Sequence, residues 1–387
     1  MQVAVQIDTN VTVFVIIEAN KKMKKLIIET DKLAENIRNI KAFCKDNTIF
    51  AVVKGDGYGL SLIPYANFLL EQGITHFAVS ESREAITLKS DERFFGATVL
   101  LLTPENDPEI VKELLQKGVT FTVGAPSHLE LIEQVSEETE NAPLVHIKVD
   151  TGFGRFGISY RNEAEILSLM EKHGKTVNIT GIFTHYSCSF ESKYSITKVQ
   201  DECFDRILEK VKAKFPELFG KLIIHSANSC GALLYPNKKR NAVRIGSAFL
   251  GRLPMRAPVK LHRIAYLEVR VLDVNSLKKG DNVAYGNTYQ AKTDMNTAVI
   301  GIGYKDGFFT TKQNDAYRFI DVLRYMYTDF RSIGKKQYLY HGKYEILGRV
   351  GMYCAIVKND GSLRTGDIVK ADCNPLFIDS AIKREYR

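Results

Sequence analysis

Long hydrophobic runs are missing from this chain. No segment approaches the roughly 20 apolar residues that a membrane-spanning helix needs, and the apolar stretch at 11–17 follows Asp8 without a basic leader or a small-residue cleavage site. That stretch therefore does not read as a signal peptide, and cytoplasmic residence is the expectation. Residues 1–22 stand apart, because Met23 is a second possible start. Paired cysteines are missing as well: Cys44, Cys188, Cys203, Cys230, Cys354 and Cys373 show no metal-ligand spacing, so no metal site is expected, and a chain of 387 residues needs no disulfide staples. Proline (10) and glycine (27) are neither enriched nor clustered, which excludes fibrous repeats and low-complexity linkers. Basic residues outnumber acidic ones by 53 to 45, but the +8 excess forms no Lys/Arg block. No nucleic-acid partner follows from it, only a diffuse attraction for anionic metabolites.

What is present is an alternation of short apolar, β-branched runs with amphipathic helical stretches. The runs lie at 49–53, 76–79, 98–102, 120–123, 145–149, 179–184, 222–225 and 242–244. Buried parallel strands read as continuous apolar runs, and eight β–α units in about 220 residues fit a closed (β/α)8 TIM-type barrel, with an open doubly wound sheet as the alternative. Thr30-Asp31 is a good helix start ahead of Leu33, Ile37 and Ile40. After about residue 263 the pattern turns to alternating strands at 264–274, 298–302 and 368–371. The expected organisation is an N-terminal extension and strand over 1–30 that joins a β domain, a barrel over 31–263, and a C-terminal mostly β domain over 264–387. Within the last, residues 308–344 mix aromatics with Lys and Arg and read as a partly ordered surface insertion.

The most informative segment is Ala51-Val52-Val53-Lys54-Gly55-Asp56-Gly57-Tyr58-Gly59, where an apolar strand ends in a lysine and a glycine-rich turn. Barrel enzymes place reacting groups at this strand end, and a lysine there can form a Schiff base with an aldehyde cofactor. A second block, His146-Ile147-Lys148-Val149-Asp150-Thr151-Gly152-Phe153-Gly154-Arg155, follows the fifth run and offers an arginine suited to a carboxylate. A third set closes runs six to eight: Thr184-His185-Tyr186, His225-Ser226-Ala227-Asn228-Ser229 and Val243-Arg244-Ile245-Gly246-Ser247. Ser229 with the backbone around Gly246 and Ser247 fits the phosphate site that barrels build after strands seven and eight. In the β region stand Ala284-Tyr285-Gly286-Asn287-Thr288-Tyr289, Gly301-Ile302-Gly303-Tyr304-Lys305-Asp306-Gly307 and Gly348-Arg349-Val350-Gly351-Met352.

Together these segments resemble the alanine racemase family over residues 25–387. The resemblance implies pyridoxal 5'-phosphate as cofactor, carried by Lys54, with Tyr58, Ser229, Gly246 and Ser247 toward its phosphate and Arg244 against its ring nitrogen. It implies Tyr285 as a second catalytic base opposite Lys54, His185 and His225 as supporting groups, Arg155 and Met352 as substrate contacts, and Lys148 as a lysine open to carbamylation. Removing and returning a Cα proton on either face needs two acid–base groups, and a phenol of ordinary pKa near 10 serves only if its surroundings favour the phenolate, for which His185 and Arg244 are the candidates. The family draws that tyrosine from a neighbouring subunit, so a homodimer with shared sites is implied. An arginine at the ring nitrogen cannot surrender its proton, which favours return of a proton to Cα. The expected activity is racemisation of a small amino acid, alanine first and serine next; a decarboxylase of the same architecture and a non-catalytic cofactor-binding protein are the alternatives. Two departures touch the substrate pocket: Tyr353 stands where the family carries aspartate, and Pro375 where it carries a tyrosine. From these, relatively good acceptance of serine is expected.

Overall fold

The computed structural model describes residues 24–138, 142–190, 195–236, 240–314 and 317–387; the stretch 11–17 and Met23 lie outside them. Residues 30–264 form one compact unit, and residues 24–29 with 265–387 form another.

In the first unit eight parallel strands run in chain order around a closed ring: Thr48–Val52, His76–Val79, Thr98–Leu101, Thr120–Val123, Leu144–Asp150, Asn178–Phe183, Ile223–His225 and Ala242–Ile245. Closure is direct, with Ala242, Val243, Arg244 and Ile245 paired to Thr48, Ile49, Phe50 and Ala51. These segments are strands because helices cover their outer face and side chains fill the interior, so β-branched residues are buried on both sides. Phe50, Val52, Ala78, Leu100 and Ala242 form one buried apolar cluster. The first helix, Thr30–Phe43, buries Leu33, Ile37 and Ile40 at helical spacing. Asn36 is buried among them because its side chain bonds to the Phe249 and His262 carbonyls at 2.9 and 2.7 Å, tying the helix to the end of the barrel chain.

The second unit holds a six-stranded sheet in the order Ala355–Asn359, Met295–Ile300, Ala265–Leu277, Lys24–Ile28 and Lys383–Tyr386, with Ile368–Asp372 also paired to Ala265–Leu277. The segment 308–344, read from sequence as partly ordered, contains a 14-residue helix, Phe319–Ser332, and a hairpin of Tyr338–Tyr340 with Lys343–Glu345. The helix has local causes: Phe319, Leu323, Met326 and Phe330 recur at helical spacing, and the Asp321 carboxylate is held by Arg318 and Arg324 three residues to either side. Among the described residues, no helix is long and apolar enough to cross a membrane.

Candidate active site

The strand Thr48–Val52 delivers Lys54 to the C-terminal end of the barrel, where the chain takes an unusual course. Gly55, Asp56, Gly57 and Tyr58 all have φ between 51° and 65°, so four successive residues form a single left-handed turn. Glycine tolerates this conformation, whereas Asp56 and Tyr58 each carry roughly 1–2 kcal/mol of strain. The turn is tied at its ends, Gly57 N–H to the Val53 carbonyl at 2.9 Å and Leu62 N–H to the Asp56 carboxylate at 2.8 Å. Its result is that Lys54 and Tyr58 line one cavity of about 480 Å3.

Lys148, Arg155, His185, Ser229, Arg244, Gly246 and Ser247 line the same cavity. Four cationic side chains, Lys54, Lys148, Arg155 and Arg244, therefore meet there, and no carboxylate is among the described lining residues. Such a lining suits a ligand with several negative charges. The cost of gathering these cations appears in their titration: burial, then Arg155, holds Lys54 below the usual lysine range, and burial, then Arg155 and Arg244, brings Lys148 down to about 7.

Arg244 is fixed from several sides. Its guanidinium donates to the Thr184 and Ser226 carbonyls, both at 2.9 Å, to His185 Nδ1 at 3.1 Å and to His225 Nδ1. Arginine has only donors, so His225 Nδ1 must accept, which assigns its proton to Nε2. His225 Nε2 then donates to His146 Nδ1 at 3.0 Å. His225 stacks between Phe50 and Phe183, with ring centroids 5.2 and 4.6 Å away. Burial keeps both imidazoles neutral, His146 down to about 3 and His225 well below its ordinary value, while Arg244, lowered by burial to about 10, stays protonated at neutral pH.

Across the cavity Ser229 Oγ accepts the Gly246 N–H at 3.0 Å. That amide is committed within the fold rather than directed at a ligand, and it leaves the serine's own proton to be donated outward. Glycine at 246 leaves room for Tyr58, since a Cβ there would lie 2.5 Å from the Tyr58 hydroxyl and displace the ring. Burial pushes the Tyr58 phenol up to about 12, so it remains a donor. Arg155 belongs to a loop shaped by Asp150, whose carboxylate accepts the Gly152, Phe153 and Gly154 amides, and its guanidinium lies 4.5 Å from the centre of the Phe153 ring.

Tyr285 and Met352 belong to the second unit, where they are 75% and 47% exposed. Tyr285 follows Ala284 at φ 63° and precedes Asn287 at φ 51°, a tight turn that presents its side chain outward. Gly301–Gly307 and Gly348–Met352 come together in that unit through the Tyr304 and Lys305 amides on the Gly351 and Met352 carbonyls, at 3.0 and 3.1 Å. Near the C-terminus Pro375 is buried at the start of a short 3-10 turn, and Leu376 is its exposed side chain.

Residues 28–254 match the alanine racemase N-terminal domain, and residues 264–371 match the alanine racemase C-terminal domain. The chain belongs to the alanine racemase family. An alanine racemase of Staphylococcus epidermidis is 30% identical over 351 residues, which cover 89% of this chain and 84% of the relative. The crystal structure of the alanine racemase from E. faecalis superposes with a TM-score of 0.77 at 25% identity, covering 94% of this chain and 98% of that one. A histidine racemase of Leuconostoc mesenteroides shares the fold at TM-score 0.76 and 18% identity over 94% of this chain and 98% of that one. The fold is thus common to proteins named for different amino acids, and it cannot by itself name the substrate.

Among the residues that the sequence did not assign to this site are Ser80, Thr103, Phe183 and Cys230 in the lining and His146 behind it. Cys230 lines the cavity beside Ser229. His146 extends the buried Arg244–His225 chain, and strand alternation carried the signal, since His146 and Lys148 share the inward face of one strand.

Proposed function

We propose that this protein is a pyridoxal-phosphate-dependent racemase that interconverts L- and D-alanine, with Lys54 and Tyr285 as its two acid–base groups. The observation that carries the reading is the single cavity at the barrel's strand ends, where Lys54 stands among Lys148, Arg155 and Arg244 beside the hydroxyls of Tyr58 and Ser229. This donor set fits pyridoxal 5'-phosphate, the cofactor of the family: one amine to bond its aldehyde, hydroxyl donors for its phosphate, and cations to offset its charge. When bound, the cofactor supplies electron withdrawal from the substrate's Cα, so that its proton becomes removable.

The chain's own residues supply the rest. Tyr58 and Ser229 donate to the phosphate, together with the backbone at Ser247, and Gly246, its amide held by Ser229, leaves room for Tyr58 beside them. Arg155 holds the substrate carboxylate, and Lys148, carbamylated, holds Arg155. Met352 borders the substrate side chain. Arg244, fixed by His185 and His225, faces the ring nitrogen with donors only, which favours return of a proton to Cα over transamination, and its place there counts against the decarboxylase reading, since decarboxylases of this architecture set a carboxylate at that position. Lys54 moves the proton on one face of Cα. Tyr285 moves it on the other and comes from a second copy of the chain, so the working form is a homodimer. Six free cysteines support a reducing, cytoplasmic setting.

The test is a spectrum and a chiral assay. Purified protein should take up pyridoxal 5'-phosphate with a violet absorbance that Lys54→Ala abolishes, and should convert L-alanine to a racemic mixture, with L-serine slower. Retention of the violet band in Lys54→Ala, or conversion of L-histidine but not L-alanine, would contradict the proposal.

A further inference from the structure

The left-handed turn after Lys54 holds two strained non-glycine residues, and strain of this kind persists only where surrounding contacts over-determine it. Its own ties engage Gly57 and Leu62. The amide at its centre, that of Asp56, donates instead to Glu84 Oε1 at 3.1 Å, across 28 residues of chain. Glu84 is the third residue of the helix Ser82–Lys89, and its Oε2 accepts the Ser80 and Glu81 amides, both at 3.3 Å. A glutamate that only starts a helix needs one oxygen and can stay in water. Glu84 is 6% exposed, and a carboxylate is buried at high cost unless its oxygens are bonded and a cation is near.

We propose that Glu84 is a positioning residue for Lys54: its carboxylate pins the left-handed turn that aims Lys54 and Tyr58 into the cavity, and its charge offsets the cations around the Lys54 amine. The inference rests on the reading of Lys54 as the cofactor lysine. The groups facing Lys54 are Tyr58 from its own turn, Lys148 and Arg155 from the fifth barrel strand and its loop, His185 after the sixth and Arg244 on the eighth. Burial, Arg155 and Arg244 lower the affinity of Lys54 for its proton, and Glu84 acts in the opposite sense. The helix beginning at Pro108 supplies a comparison, since the exposed Asp107 accepts the Glu109 and Ile110 amides and starts that helix without touching the cavity.

The experiment compares the parent, Glu84→Gln and Asp107→Ala as full-length proteins loaded with pyridoxal 5'-phosphate. It reads cofactor retained after dialysis, the pH midpoint at which the violet band of the Lys54-bound cofactor bleaches, and the melting temperature. Glu84→Gln removes one acceptor and the charge, so retention should fall at least about threefold and the midpoint should move down by about half a unit. Asp107→Ala should lower the melting temperature and leave both cofactor readings at the parent's values. Parent-like retention or a parent-like midpoint in Glu84→Gln would overturn the proposal. If Glu84→Gln does not fold, Glu84→Asp keeps the charge but is too short to span both sets of amides, and it should still lose retention; parent-like retention there would overturn it equally. A parent that takes up no cofactor would remove the functional reading and this inference with it, whereas a loaded parent with an unaffected Glu84→Gln removes this inference alone.

Discussion

Lys148 shows what one buried residue costs and offers. Its amine lies 5.2 and 5.6 Å from the ring centres of Phe156 and Phe183, and burial with two arginines nearby brings its pKa to about 7. In the unfolded chain a lysine keeps its proton up to about pH 10.4, so between about 7 and about 10 the unfolded state binds more protons than the folded one, and stability rises with pH across that window. Below about pH 7 the amine is charged in both states and the folded protein bears the full penalty. Lys148→Met should therefore gain more stability over the parent near pH 6 than near pH 9.5, in urea unfolding with buffer purged of carbon dioxide; an equal gain at both would contradict this. The neutral amine is also the form that attacks carbon dioxide, and the carbamate so formed is an anion suited to Arg155. Bicarbonate at neutral pH should raise the unfolding midpoint of the parent and not of Lys148→Met.

At the scale of elements, the helix Phe319–Ser332 carries its apolar stripe outward: Phe319 is 77%, Met326 62% and Phe330 73% exposed. Asp321 is its one buried residue, and its bonds run to Arg318 and Arg324 within the same segment. Replacing Phe319 and Phe330 by serine should then change thermal stability by no more than about 0.5 kcal/mol each. A loss of about 3 kcal/mol, the size of a core truncation, would show instead that the stripe is covered in the protein. This helix was hidden in the sequence because composition, not spacing, governed how its aromatics were read. The barrel strands were legible for the opposite reason: a strand buried on both faces must be a continuous apolar run, and Phe77–Val79 or Val99–Leu101 has no other easy reading. The lysine turn was legible as a turn from its glycines, but its left-handed course through Asp56 and Tyr58 was not, since neither residue prefers it. Glu84 was invisible as a partner because its contact joins segments 28 residues apart, and strand alternation placed His146 on the inward face without identifying His225, 79 residues on, as its partner.

For the molecule as a whole, Lys54 belongs to the barrel unit and Tyr285 to the β unit. In the proposed homodimer, twofold symmetry would let each barrel receive Tyr285 of the other copy. The most direct measurement mixes Lys54→Ala protein with Tyr285→Ala protein, each inactive alone, under conditions that exchange subunits, and follows D-alanine formed from L-alanine. Half of the dimers will be mixed, and each will hold one site with both groups intact, so activity should return to about a quarter of the parent's. No recovery after demonstrated exchange would contradict the account.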